Sequence, residues 1–324
     1  MVAITSIPTA LHPGTYSLLS IPEAQFSSNV KMKVVPAAYR FATCNELFQK
    51  MPLAEICRLV SRLGYEGFEI APFTLGEDPA AISKEQRAEV GKAIAGEGLE
   101  FVGLHWLLTA PPGLQIVTND SAVRQHSWNY VQRLIDLCAD LATRGAAKLP
   151  VIVFGSPKQR SSVPGSSAAE AVRFFTDGMA GVAPHAEARK VTLLVEALSP
   201  SQTDVVTSLA EAVGIVRQIA SPAVQTMFDV HNAINETEPH TVLIERYFPY
   251  IRHVHVNEMD GKEPGMGDYN FLILLRKLAE LNYDGWVSLE AFDFSRDARE
   301  VAARAIETLK KAAESAVVPI KTNI

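Results

Sequence analysis

Between residues 191 and 290 the chain reads VTLLVE (191–196), VQTMFD (224–229), IRHVH (251–255) and WVSLE (286–290). Each is a short, β-rich apolar run followed by a longer stretch of helical character. The runs close on Glu196, Asp229, His255 and Glu290. A charged residue at the end of an apolar strand is costly to bury alone. Four in succession have a simple common cause: their side chains converge on one cation, which offsets both the desolvation and the mutual repulsion of the carboxylates. Three carboxylates and one imidazole form a hard, mostly oxygen donor set. That set suits one divalent ion, with Mn²⁺ favoured and Mg²⁺ or Co²⁺ admissible, better than a structural zinc. The plainer alternative is that each acid caps the next helix or pairs with a base. It explains any one of these residues as well as the metal does, and all four together poorly.

Working outward, the same alternation begins near residue 38. Further strands are expected at Arg40–Thr43, Gly67–Ile70, Glu100–Leu104 and Leu149–Phe154. Helices are expected near 53–63, 84–97, 120–143, 167–187, 208–219, 239–247, 270–281 and 295–315. Eight strand–helix units in strict alternation imply an α/β protein with a parallel sheet, and eight units match a single (β/α)8 TIM barrel with an N-terminal extension. The expected organisation is an extension over 1–37, a catalytic barrel over 38–316 and a tail over 317–324. A doubly wound open sheet is the runner-up, but no glycine-rich dinucleotide fingerprint follows the first strand. The segments LGYEGF (63–68) and LNYDGW (281–286) echo one another. In both, Gly or Asn suits the left-handed position that ends a helix. The echo marks either a true internal repeat or reused loop chemistry.

With 324 residues, 48% of them hydrophobic, the chain can bury a large core. A formal net charge of −6 and the lack of a basic stretch argue against a nucleic-acid or anionic-membrane partner. No apolar run reaches the length of a membrane span. Cys44, Cys57 and Cys138 are widely spaced and form no C-x-x-C pair, which points to a reducing, cytoplasmic setting. Residues 1–34 lack a secretory pattern, and their first charged side chain is Glu23.

In a barrel, the C-terminal strand ends share one pocket. Other residues at those ends are therefore candidates for substrate contact. Glu69 either hydrogen-bonds a bound substrate or pairs with a nearby base. His105 binds substrate or sits hydrogen-bonded inside the rim. Trp106 stacks on a substrate face or packs. Lys158 and Arg160 hold an anionic group or belong to a solvated loop. His253 lies two residues before His255 and shares its face, so it reads as a barrel residue one layer below the metal. Glu258 orients a ligand from behind or is a solvated loop acid.

The segments LVEALSP, MFDVHN, HVHVNE with the later PGMGD, and GWVSLE resemble the xylose-isomerase-like barrels typified by D-tagatose 3-epimerase. The resemblance covers most of the chain from about residue 38. It implies one metal bound by Glu196, Asp229, His255 and Glu290. It also implies a sugar isomerase or epimerase that moves a proton beside a keto-sugar carbonyl through a metal-bound enediolate, with Glu196 and Glu290 as the acid–base pair. Three positions depart from the family pattern. Gln202 stands where the epimerases carry Glu, Asn232 (with His231 before it) where they carry His, and Gly261 (with Lys262 after it) where they carry Arg. All three are substrate contacts in the family, so Gln202, His231, Asn232 and Lys262 become this chain's candidate contacts. The implied partner is a small-molecule sugar, with a homo-oligomer or a small partner subunit as the other association to consider.

Three other functions compete. An abasic-site endonuclease shares this barrel, but the chain lacks a D-x-x-H after the sixth strand and a D-x-H after the seventh, and it is acidic. A lyase acting on 3-keto-glycosides, similar to the large subunit of C-glycoside deglycosidases, would use the same first proton abstraction. A non-catalytic sugar-binding protein would be expected to have lost a metal ligand, and none is lost.

Overall fold

A computed structural model describes residues 33–36, 39–49 and 51–320. A short strand β1 (Lys33–Pro36) precedes the main body. The chain then runs β2 (Arg40–Cys44), α1 (Leu53–Leu63), β3 (Gly67–Ile70), α2 (Lys84–Gly96), β4 (Glu100–Leu104) and α3 (Ser121–Leu141). It continues through β5 (Val151–Phe154), the one-turn α4 (Pro157–Arg160), α5 (Ala168–Arg189), β6 (Thr192–Val195), α6 (Leu209–Ile219) and β7 (Val224–Asp229). The last elements are α7 (His240–Tyr247), β8 (Ile251–Val256), α8 (Phe271–Glu280), β9 (Trp286–Leu289), α9 (Ala298–Ser315) and β10 (Val317–Ile320). Strands β2 to β9 pair in parallel and in sequence order, and β9 returns to β2 to close the barrel. This is the (β/α)8 architecture expected from the alternation.

The two faces of each strand divide the core. Phe41, Phe68, Phe101, Ile152, Leu193, Phe228, Val254 and Val287 belong to the large cluster shared with the helices. Ala42, Val102, Val151, Val153, Leu194, Met227 and Trp286 form a separate cluster, the barrel interior. Gly67 makes room for it: a Cβ there would come within 2.6 Å of Val102 and 2.7 Å of Trp286. Period-two alternation places Glu196 above Leu194, Asp229 above Met227, His255 above His253, and Glu290 above Ser288 and Trp286. A one-residue register slip would turn this set toward the helices, so burial of the interior layer also aims the site.

Local chemistry sets the helix ends. Ser83 and Ser167 open α2 and α5 with reciprocal caps to Gln86 and Glu170. Gly64 (φ 93°) and Asn282 (φ 56°) both adopt the left-handed conformation that their shared motif implied. The following tyrosines bond back alike, Tyr65 N to Val60 O and Tyr283 N to Leu278 O.

Several expectations change. The fourth barrel strand, β5, starts at Val151 rather than Leu149, because Leu149 is 53% exposed and Pro150 follows it. The loop after it contains α4. Residues 33–36 and 317–320, assigned to the extension and tail, pair as an antiparallel ribbon. The rest of both segments lies outside the described residues. No helix among the described residues is long and apolar enough to cross a membrane.

Candidate metal centre

Strands β6 to β9 deliver the four proposed ligands to one point. Glu196, Asp229, His255 and Glu290 are all buried, and each places a donor atom within 4.8 Å of the others. His255 Nδ1 lies 3.0 Å from Glu290 Oε2 and 3.7 Å from Asp229 Oδ2. It is a buried nitrogen with no hydrogen-bond partner. Nδ1 of His105 and of His253 is unpaired too, but among the described residues only that of His255 faces two carboxylates within 3.7 Å. A divalent cation fits this donor set, since it would satisfy Nδ1 and neutralise the clustered carboxylates.

The electrostatics of the metal-free cluster show the same need. Burial, then the Glu290 and Asp229 charges, push the Glu196 carboxyl up to about 8. Burial and Glu290 raise Asp229 to about 6. Burial works upward on Glu290 as well, but His255 outweighs it and holds that carboxyl below its usual value. Burial opposes a charged His255 ring, yet Glu290 and Glu69 keep it well above the ordinary imidazole range. Protons thus stand in for a cation among groups that cannot all ionise together.

Neighbouring donors fix each carboxylate. Asn232 Nδ2 donates to Glu196 Oε1 at 2.9 Å, and its backbone N–H donates to Asp229 Oδ1 at 2.6 Å. Gln202 Nε2 in turn donates to Asn232 Oδ1 at 2.7 Å. Trp106 Nε1 donates to Glu290 Oε1 at 3.0 Å. Asn257 donates to Asp229 Oδ2 and to the Glu290 carbonyl, while its own Oδ1 accepts from His231 N. Each proposed catalytic glutamate therefore has one oxygen tethered by a side-chain N–H.

A cavity of about 400 Å³ opens above the cluster. Its walls include Trp106, Pro157, Leu198 and Phe292, with Lys158, Gln202, His231, Asn232 and Asp260 as polar groups. Trp106 stacks on Phe292 with ring centroids 6.2 Å apart. His231 donates Nδ1–H to the Met259 carbonyl at 2.8 Å, which leaves Nε2 as an acceptor. Trp106 (φ 51°) and Ser156 (φ 43°) hold left-handed backbones on this rim, conformations that persist only where the surroundings fix them. A larger groove of about 600 Å³ lies beside Pro239–Thr241 and Gly267–Leu274. It touches none of the four ligands, so we place the site at the strand ends.

The structure brings Trp106, Lys158, Gln202, His231 and Asn232 into this pocket and leaves Glu69, His105, Arg160, Glu258 and Lys262 out of its walls. Glu69 is fully buried and binds His253 Nε2 at 2.9 Å and His255 Nε2 at 3.3 Å; it pairs with bases instead of meeting a sugar. His105 is fully buried and bonded to Glu46 at 2.6 Å, so it is the histidine inside the rim. Lys262 does not line the pocket itself; its ammonium pairs at 2.6 Å with Asp260 of the pocket wall. Arg160 is neither solvated nor an anion site. It is fully buried and ties the Phe154 and Glu196 carbonyls together at 2.6 and 2.7 Å. Glu258 is buried too, and accepts from Gly265 N and Tyr269 N to shape its loop.

Sequence reasoning missed Asn257, Glu46 and Gly155. Asn257 had a signal, since positions 253, 255 and 257 share one face. Glu46 had none in its local sequence. At Gly155 a Cβ would meet Glu196 Oε2 at 2.4 Å, a contact between strands that sequence cannot show.

Fold and site together define a (β/α)8 barrel with a cluster of potential cation ligands at the C-terminal ends of its strands. The chain belongs to the xylose isomerase-like TIM barrel family, which matches residues 57–312. It is similar to fructoselysine 3-epimerase of Shigella flexneri, with 22% identity across 83% of this chain and 95% of that one. It is also similar to D-psicose 3-epimerase of Agrobacterium fabrum, with 24% identity across 72% and 77%. Among solved structures, the 3-keto-D-glucoside 4-epimerase of E. coli superposes with a TM-score of 0.70 at 20% identity, covering 85% of this chain and all (100%) of that one. At that identity the likeness speaks for the fold.

Proposed function

We propose that the protein is a divalent-metal-dependent sugar isomerase or epimerase acting on a keto-sugar or a keto-sugar derivative. The observation that carries this reading is the convergence of Glu196, Asp229, Glu290 and the unpaired Nδ1 of His255 on one point beneath a pocket. The ketose 3-epimerases among the chain's relatives support it. A bound divalent ion, Mn²⁺ by preference, would act as a Lewis acid on the substrate's carbonyl oxygen. The chain's own part is proton transfer. One of Glu196 and Glu290 takes the proton from the carbon beside the carbonyl, and the C–H electron pair moves toward the carbonyl oxygen to give an enediolate. The other glutamate returns a proton to the opposite face. Asn232 and Trp106 keep the two carboxylates in place through the step. A metal-associated carboxylate is a weak base, and positioning of this kind compensates.

A second reading, elimination from a 3-keto-glycoside, begins with the same abstraction. The apolar wall of Trp106, Pro157, Leu198 and Phe292 favours it, because an aglycone offers more apolar surface to bury there than the C–H face of a free ketose.

With Mn²⁺ present, the enzyme should exchange the proton beside a keto-sugar carbonyl with solvent deuterium, followed by NMR over keto-sugars and 3-keto-glycosides. Glu290→Gln should abolish the exchange. An unimpaired mutant would refute the two-glutamate mechanism, and the product spectra separate epimerisation, isomerisation and elimination.

A further inference from the structure

We infer that Glu69 is a positioning residue that braces His255 from behind and fixes which of its nitrogens meets the cation; the inference rests on the metal-centred reading above. Glu69 stands on β3, three strands from β8 around the ring of eight, and is fully buried. A lone carboxylate there would be strongly disfavoured. Oε1 faces His253 Nε2 at 2.9 Å and Oε2 faces His255 Nε2 at 3.3 Å. One imidazole would have satisfied the charge. The second contact has a different consequence.

An ionised carboxylate only accepts hydrogen bonds, so both histidines present Nε2–H to it. That leaves Nδ1 of His255 as the nitrogen facing Asp229 and Glu290, and it is the one without a hydrogen-bond partner. A ligand histidine whose far nitrogen is bound to a carboxylate is held in orientation and tautomer. His253 contributes by anchoring the other oxygen, so the carboxylate cannot rotate away from His255. Its ring packs edge-on against His255 with centroids 4.8 Å apart. His253, Glu69 and His255 thus form one brace running across the barrel interior beneath the site.

Glutamine at 69 has a single acceptor oxygen and cannot serve both rings. If its amide nitrogen faces His255, that ring must turn its proton to Nδ1, the face aimed at the cation. The test is calorimetric titration of the metal-free, full-length protein with MnCl₂, alongside its melting temperature without metal. Glu69→Gln should weaken Mn²⁺ binding by about 10–100-fold. Unchanged affinity overturns the brace. So does a lowered melting temperature with unchanged affinity, which is the signature of a purely structural carboxylate. Should Glu69→Gln not fold, Glu69→Asp carries the same test, since it keeps the charge but is one methylene too short to span both rings. An unaltered protein with no affinity for Mn²⁺ overturns the proposed function itself, and the brace with it.

Discussion

The barrel's two halves treat buried charge in opposite ways. From β2 to β5, every charged group at the strand ends that turns inward has a protein partner: Glu46 with His105, Glu69 with His253 and His255, Arg160 with two carbonyls. From β6 to β9, Glu196, Asp229 and Glu290 crowd around one imidazole, His255, with donor atoms within 4.8 Å of one another. In sequence both halves show the same pattern, an ionisable residue closing an apolar run. The first half reads as support, and the second is the half we propose binds the ion. A buried acid points to a site when its close neighbours are other acids that cannot all ionise together.

The sharpest way to break this contrast is at the seam between the halves. Gly155 follows β5, and its missing side chain is the space that Glu196 Oε2 occupies. Gly155→Ala leaves every proposed ligand in place but forces the Glu196 carboxylate aside. A displacement of about 1 Å costs roughly 100-fold in a positioned reaction. We expect that loss in the Mn²⁺-dependent deuterium exchange, together with weakened Mn²⁺ binding. A variant as active as the parent would show that Glu196 need not sit where it does.

A second test uses pH to separate the halves. In the metal-free protein burial and the Glu290 charge, with Asp229 adding to them, push the Glu196 carboxyl up to about 8, and burial and Glu290 raise Asp229 to about 6. His255 is also shifted upward, since Glu290 and Glu69 overcome the effect of burial. In the unfolded chain these groups titrate at about 4 for the carboxyls and about 6.5 for the imidazole. Above pH 6.5 the folded chain therefore holds protons that the unfolded chain has released. Stability must then fall as pH rises toward 8. Bound Mn²⁺ replaces those protons, so its stabilising effect should grow with pH over the same window. His105 is raised as well, by Cys44 and Glu46 against the effect of burial. It adds a slope of the same sign that Mn²⁺ leaves in place. Melting temperatures at pH 6.5 and 8.0, with and without Mn²⁺, check this. A Mn²⁺ gain that is flat with pH would mean the cluster does not release protons to the ion.

Most of the fold was legible because it rests on local signals. Period-two runs gave the strands, helical periodicity the helices, and the Gly64 and Asn282 motifs two of the helix ends. The β1–β10 ribbon was not legible, since four-residue strands nearly 300 positions apart carry no local mark of their pairing. The four proposed ligands were legible because each ends its own strand and aligns with a family pattern. The roles of Glu69, His105 and Arg160 were not, because satisfaction is a property of three-dimensional neighbours. His253 and Glu69 meet only after the barrel closes, 184 residues apart in the chain.

Lys262 is the smallest and most discriminating of these tests. It was a candidate contact because it adjoins Gly261, where the epimerases carry an arginine. In the structure its ammonium pairs with Asp260 on the surface, with the side chain 42% exposed, and it does not line the pocket. Exposed pairs of this kind contribute little, because solvent screens them and ordering two long side chains is costly. Lys262→Ala should leave both Mn²⁺ affinity and kcat/KM within about twofold of the parent. A raised KM with Mn²⁺ affinity unchanged would instead show that Lys262 leaves Asp260 to reach the substrate. The pocket's cationic contact would then have moved one position along the chain from the family's arginine. In that case a surface pair, and not only the buried groups of β6 to β9, would have to be counted as part of the binding half.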